Sequence, residues 1–185
     1  MSSDKTILSN TVLANLYKDS LVIIEDTAHV VKAKEESTID IKKEEIKEVK
    51  WEGPIKSLGE NNKKITVIVN DPNSVHLNET DFILLTSILN ACRLTIADIA
   101  LVNIGKQPAG LHQILQELPS TLVIAFAVDA NQLKVKLPST LYKVSQLGET
   151  HILFSNALSS MQGTGLESKQ EKAKLWTILK KIFEL

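Results

Sequence analysis

The chain has 185 residues, 43% hydrophobic and 23% charged, with a formal net charge of −1. That composition fits a globular protein large enough to bury a core without disulfides or metal, and it provides no field to draw the chain to nucleic acid or an anionic membrane. Arg93 is the only arginine, so no dedicated surface of bidentate phosphate clamps is visible, although lysines could line a modest one.

Residues 6–18 place Leu8, Val12, Leu13, Leu16 and Tyr17 at helical spacing. Leu21-Val22-Ile23-Ile24 follows as a short buried strand. Residues 31–64 then hold nine lysines and eight acids. Mixed-sign runs of this kind are usually solvated faces. The alternative is a partner-binding arm anchored by Trp51.

From Ile65 the pattern sharpens. Ile65-Thr66-Val67-Ile68-Val69 reads as a strand, closed by the turn formers Asn70-Asp71-Pro72-Asn73. Asn78 or Thr80 can cap a helix running to about Cys92, apolar on most of its faces and therefore expected to be buried. Thr95 and Asp98 mark a short turn, residues 99–104 a strand closed by Gly105, and residues 111–118 a short helix. Residues 122–127 form the most apolar strand, and residues 152–154 a further one. Ser168-Lys169-Gln170-Glu171 fits a capping box, ahead of an apolar stripe of Leu175, Ile178, Leu179, Ile182 and Phe183. Strands alternating with helices, several of the strands continuously apolar, predict a three-layer αβα sandwich. Its sheet is expected to be mostly parallel, with four or five strands, in one domain over 1–185.

Cys92 is the only cysteine and adjoins the apolar run 82–91, so a buried structural thiol is expected. The first residues, MSSDKTILSN, lack a secretory pattern, and no apolar run approaches the roughly 20 residues of a membrane span. The cytoplasm is the expected compartment. There is no GxGxxG, phosphate loop, HExxH or GxSxG motif. The histidines His29, His76, His112 and His151 show no ligand spacing. No cofactor or metal is expected. Ligands of parallel α/β sheets approach the carboxyl ends of the strands, which singles out two loops, 70–73 and 155–160. Asp71 is there read as a turn former, with a water-orienting base as the alternative.

These loops and the segments between them resemble the uracil-DNA glycosylase-like fold. Residues 65–104 follow its order of strand, acidic turn, helix, short turn with an acid (Asp98) and strand ending in Asn (Asn103). The family's first loop often reads Gly-Gln-Asp-Pro-Tyr, and Asn70-Asp71-Pro72-Asn73 keeps the Asp-Pro. Its last loop begins with a catalytic histidine, where this chain has Ser155.

Within that fold the chain is most similar to the psi-subunit family of the bacterial DNA polymerase III holoenzyme, a catalytically silent group. Its Ser-Pro-Ala-Leu-type loop is resembled by Ser155-Asn156-Ala157-Leu158, its terminal-helix core by Ala173-Lys174-Leu175-Trp176, and its Leu-rich start by residues 6–24. Residues 31–64 are an insertion relative to it. The resemblance implies a bacterial, non-catalytic replication subunit that binds clamp-loader or other replisome proteins and touches nucleic acid only weakly or indirectly. Residues 1–20 are the candidate docking segment, with Leu8, Val12 and Leu16 as anchors at i, i+4 and i+8. The other reading of this helix is that it completes the domain by packing on its own sheet. The alternative is a divergent uracil-DNA glycosylase with Asp71 as base, supported by Asn70 and Ser155.

Overall fold

β-branched and aliphatic side chains suit a pleated surface covered on both faces, and three five-residue runs of them form the centre of the molecule. In the computed structural model, which describes residues 51–185, β2 (Ile65–Val69), β3 (Ile99–Asn103) and β4 (Leu122–Phe126) are buried at every position. With β6 (Thr150–Ser155) they run parallel in the order β3-β2-β4-β6. The register sets Val67 beside Leu101 and Ile124, and Ile124 beside Leu153.

Two antiparallel edges, β1 (Ser57–Leu58) and β5 (Val144–Leu147), complete a six-stranded mixed sheet, β1-β3-β2-β4-β6-β5. They correct the expected count of four or five strands. β1 is too short to show a period-two pattern. β5 is half exposed and joins β6 through Gly148-Glu149, with Gly148 at φ +60. That glycine-led two-residue turn is the sequence signal that marks the hairpin. The expected helix 6–18 and strand 21–24 lie outside the described residues.

Alternate side chains of each strand enter different layers. Val67, Leu101, Ile124 and Leu153 pack under α1 (Glu79–Ala91) and α3 (Leu166–Phe183), whose Leu85, Leu89, Leu175 and Leu179 are buried there. Ile68, Val102, Ala125 and Phe154 pack on the other side, under α2 (Leu111–Glu117) and Val128 and Leu133 of the segment after β4. The fold is thus an α/β sandwich with cover on both faces. None of the helices among the described residues is long and apolar enough to cross a membrane.

Two local expectations are corrected. α1 is not buried all round: Ile83 is 60% exposed, because α1 lies on the sheet as an outer layer with nothing over it among the described residues. α3 begins at Leu166 after Gly165, two residues before Ser168, so the Ser168–Glu171 capping box does not form. Ser168 Oγ instead donates to the Gln162 carbonyl, and Glu171 turns toward Tyr142. The Thr95–Asp98 turn does form, with Asp98 Oδ2 accepting from the Thr95 N–H at 2.7 Å and its hydroxyl at 2.8 Å.

Candidate functional site

The connection after β2 crosses one face of the sheet through α1, while the one after β4 crosses the other through residues 127–137. Where neighbouring connections part in this way a crevice opens at the carboxyl edge. A cleft of about 230 Å³ sits there, between β2 and β4, lined by Asn70, Asp71, Asn78, Asp81, Ala127 and Ser159 among others. The structure therefore brings the two loops singled out in the sequence to one place.

Asn78 organises the entry to α1. Its Oδ1 accepts from the Asp81 N–H at 2.9 Å as the helix cap, and its Nδ2 donates to Asp81 Oδ2 at 2.7 Å. Asp81 is buried, and its other oxygen accepts from Gln162 Nε2, which ties α1 to the loop before α3.

Asp71 has no free oxygen. Oδ1 accepts from the N–H groups of Asn73 at 2.9 Å and Ser74 at 3.2 Å, and Oδ2 from the N–H of Asn78 at 3.0 Å. Partial burial pushes its carboxyl up, but the hydrogen bonds from Ser74, Asn73 and Asn78 together outweigh that and hold it below the usual carboxylate range. A carboxylate bound in this way is a weak base.

Asn103, at the end of β3, is buried and equally occupied. Its Nδ2 donates to the carbonyls of Asp71 at 2.7 Å and Ser74 at 2.9 Å, and its Oδ1 accepts from the N–H groups of Asp71 at 2.9 Å and Gly105 at 3.0 Å. The asparagine that ends β3 is a clamp on the Asp71 turn. Gly105 lets the turn approach. A Cβ there would lie 2.9 Å from Asn70 Oδ1, the Asp71 carbonyl carbon and Pro72 N, two of them main-chain atoms.

Ser155 does not line the cleft. It is buried at the end of β6, and its Oγ has no hydrogen-bond partner among the described residues. Its carbonyl accepts from the N–H of Ala127, through which the chain leaves β4 at φ 53. Of the residues of the glycosylase alternative, Asn70 and Asp71 meet at the cleft and Ser155 is buried outside its lining. The cleft lining carries two carboxylates and no Lys or Arg.

Behind Ser155 a second polar cluster fastens α3. Glu171 Oε2 accepts from the Tyr142 hydroxyl and from Asn156 Nδ2 at 2.6 Å, and Oε1 pairs with Lys174 Nζ at 2.7 Å. Lys174 first, then Tyr142 and Asn156, bring the Glu171 carboxyl down to about 2. Burial, reinforced by Glu171, pushes the Tyr142 hydroxyl up.

Trp51 is half-buried. Its Nε1 donates to the Pro54 carbonyl at 3.3 Å, its own carbonyl accepts from Gln113 Nε2 at 3.1 Å, and its ring packs on the α2-side core. Cys92 is buried as expected, and burial pushes its thiol up. Leu8, Val12 and Leu16 lie outside the described residues. Among the described residues no group of three His, Cys, Asp or Glu could hold a metal ion.

Sequence reasoning passed over Asn78, Asp81, Asn103, Gly105 and Gln162 as members of this site. The Asn-x-x-Asp spacing of Asn78 and Asp81 is the one local signal for part of it; the rest meet only in the fold. Compared with known proteins, the chain matches no family model and no curated protein.

Proposed function

We propose that the protein is a non-catalytic accessory subunit of a DNA replication complex, similar to the psi-subunit family, that binds clamp-loader proteins. The observation that carries this reading is the engagement of Asp71 and Asn103 with the main chain of the loops around them. A general base needs a lone pair free to take a proton from water, and both oxygens of Asp71 are engaged by loop N–H groups. Two carboxylates in the cleft lining, with no cation, also oppose an anionic leaving base or a DNA phosphate.

The order of elements supports the resemblance as well. Helix α1, the acid-bearing turn at Asp98 and the strand ending at Asn103 follow one another as in the glycosylase-like fold. Docking is proposed to run through residues 1–20, with Leu8, Val12 and Leu16 as anchors.

Immobilised full-length chain should retain clamp-loader proteins, and deletion of residues 1–19 should abolish capture without changing the melt. Purified chain should release no uracil from single- or double-stranded DNA. Release that disappears on Asp71→Asn would overturn the reading in favour of the glycosylase.

A further inference from the structure

We propose that the groove between α1 and α3 is a docking site for an amphipathic helix of a partner protein, with an apolar stripe bordered on one side by acids. This rests on the accessory-subunit reading and names the element such a partner would present.

The groove holds about 230 Å³, with Met161, Leu175 and Leu179 as its floor and Leu84, Ile88 and Trp176 along its sides. Its only polar lining residues are Ser87 and Lys172. Leu84, Ile88 and Ala91 stand at i, i+4 and i+7 on α1, and Lys172, Leu175 and Leu179 at i, i+3 and i+7 on α3. Two such rows make a furrow into which the ridge of a third helix packs.

α1 also carries apolar surface that none of the described residues covers. Ile83, one turn before Ser87, is 60% exposed, and Trp176 on the facing helix is 36% exposed. Tryptophan at the edge of an apolar groove is the residue type that most often dominates a protein interface.

Charge selects the occupant. Lys172, Trp176 and Lys180 succeed one another at four-residue spacing on α3, and all are exposed. Neither lysine is ion-paired among the described residues, where the one salt bridge joins Lys174 to Glu171. The facing row on α1 is Glu79, Ile83, Ser87 and Asn90, and its one charge, Glu79, stands at the first residue of the helix and outside the groove lining. The rim is thus positive on one side and neutral on the other. A second copy docked about a two-fold axis would set the lysines against themselves or against the neutral row. An acid-flanked helix satisfies both sides.

The test uses a fluorescein-labelled designed helix of about 18 residues, long enough to order on binding. It has leucines on one stripe and glutamates on one flank, and a control carries lysines in place of the glutamates. Anisotropy titration of the full chain should give affinity about tenfold higher for the glutamate peptide. The double variant Lys172→Glu/Lys180→Glu should invert that preference, and Trp176→Ala with Ile83→Gln should weaken binding at least about tenfold while leaving the melt unchanged.

Equal affinity for both peptides, affinity unmoved by these variants, or no binding at all would overturn the proposal. Clamp-loader capture is read in parallel. Capture without peptide binding sinks the groove and leaves the accessory-subunit reading standing; peptide binding without capture does the reverse.

Discussion

At the carboxyl edge of the sheet, Asp71, Asn78, Asp81 and Asn103 direct their polar atoms at one another and at nearby main chain. Across the outer face of α1 and α3, Ile83 and Trp176 instead leave apolar surface in water. At the edge where parallel α/β sheets take their ligands, the polar groups around the cleft are bonded to one another and to main chain, whereas the helical layer keeps apolar surface that none of the described residues covers. Disrupting the first region should therefore damage stability, and disrupting the second should damage recognition.

Asn103→Leu is the strongest way to break that contrast. It removes the bonds to Asp71, Ser74 and Gly105 and orphans several part-buried main-chain groups, at a cost of about 3 kcal/mol in chemical denaturation. A cost near zero would show that the clamp is decorative. Gly105→Ala tests the same loop by volume. Its Cβ would meet Asp71 and Pro72 main-chain atoms at 2.9 Å, and an unyielding backbone of this kind costs about 2 kcal/mol.

A smaller effect should come with pH, from the cluster that fastens α3. Glu171 titrates at about 2 in the fold against an ordinary 4.5. A depressed carboxyl contributes stability that is fully present above the unfolded value and is lost as pH falls from there through the folded one. Melting temperature should therefore decline between about pH 5 and pH 2, and Glu171→Gln should flatten that part of the decline. An unchanged profile in the variant would show that Lys174, Tyr142 and Asn156 do not hold the charge.

The smallest effect on stability belongs to the other region. Trp176→Ala should shift unfolding by less than about 0.5 kcal/mol, since the ring is partly exposed and alanine favours a helix. A larger loss would mean that Trp176 belongs to the core, and the contrast between the two regions would weaken.

Part of this was legible without coordinates. Residues 65–69, 99–104 and 122–127 read as strands, the last two one residue longer than observed, because continuous β-branched and aliphatic runs have few other stable environments. Asn78 or Thr80 read as a helix cap, because a short side chain with an oxygen acceptor satisfies helix N–H groups locally, and Asn78 takes that place. Cys92 read as buried from the apolar run beside it.

What the tertiary structure alone decided has a common physical cause, which is that the partners are distant in the chain. The edge strand β1 exists because β3, far along the chain, offers it hydrogen-bonding groups, not because of its own pattern. Glu171 looked like half of a capping box until Tyr142 and Asn156, delivered by another part of the sheet, gave it stronger company. Asp71 could be read as a base or as a turn former from its neighbours in sequence. The N–H of Asn78 and the amide of Asn103, brought to it by packing, hold it in the turn. The apolar excess of α1 was visible in the sequence, but whether it faced the core or the outside depended on where α3 came to lie.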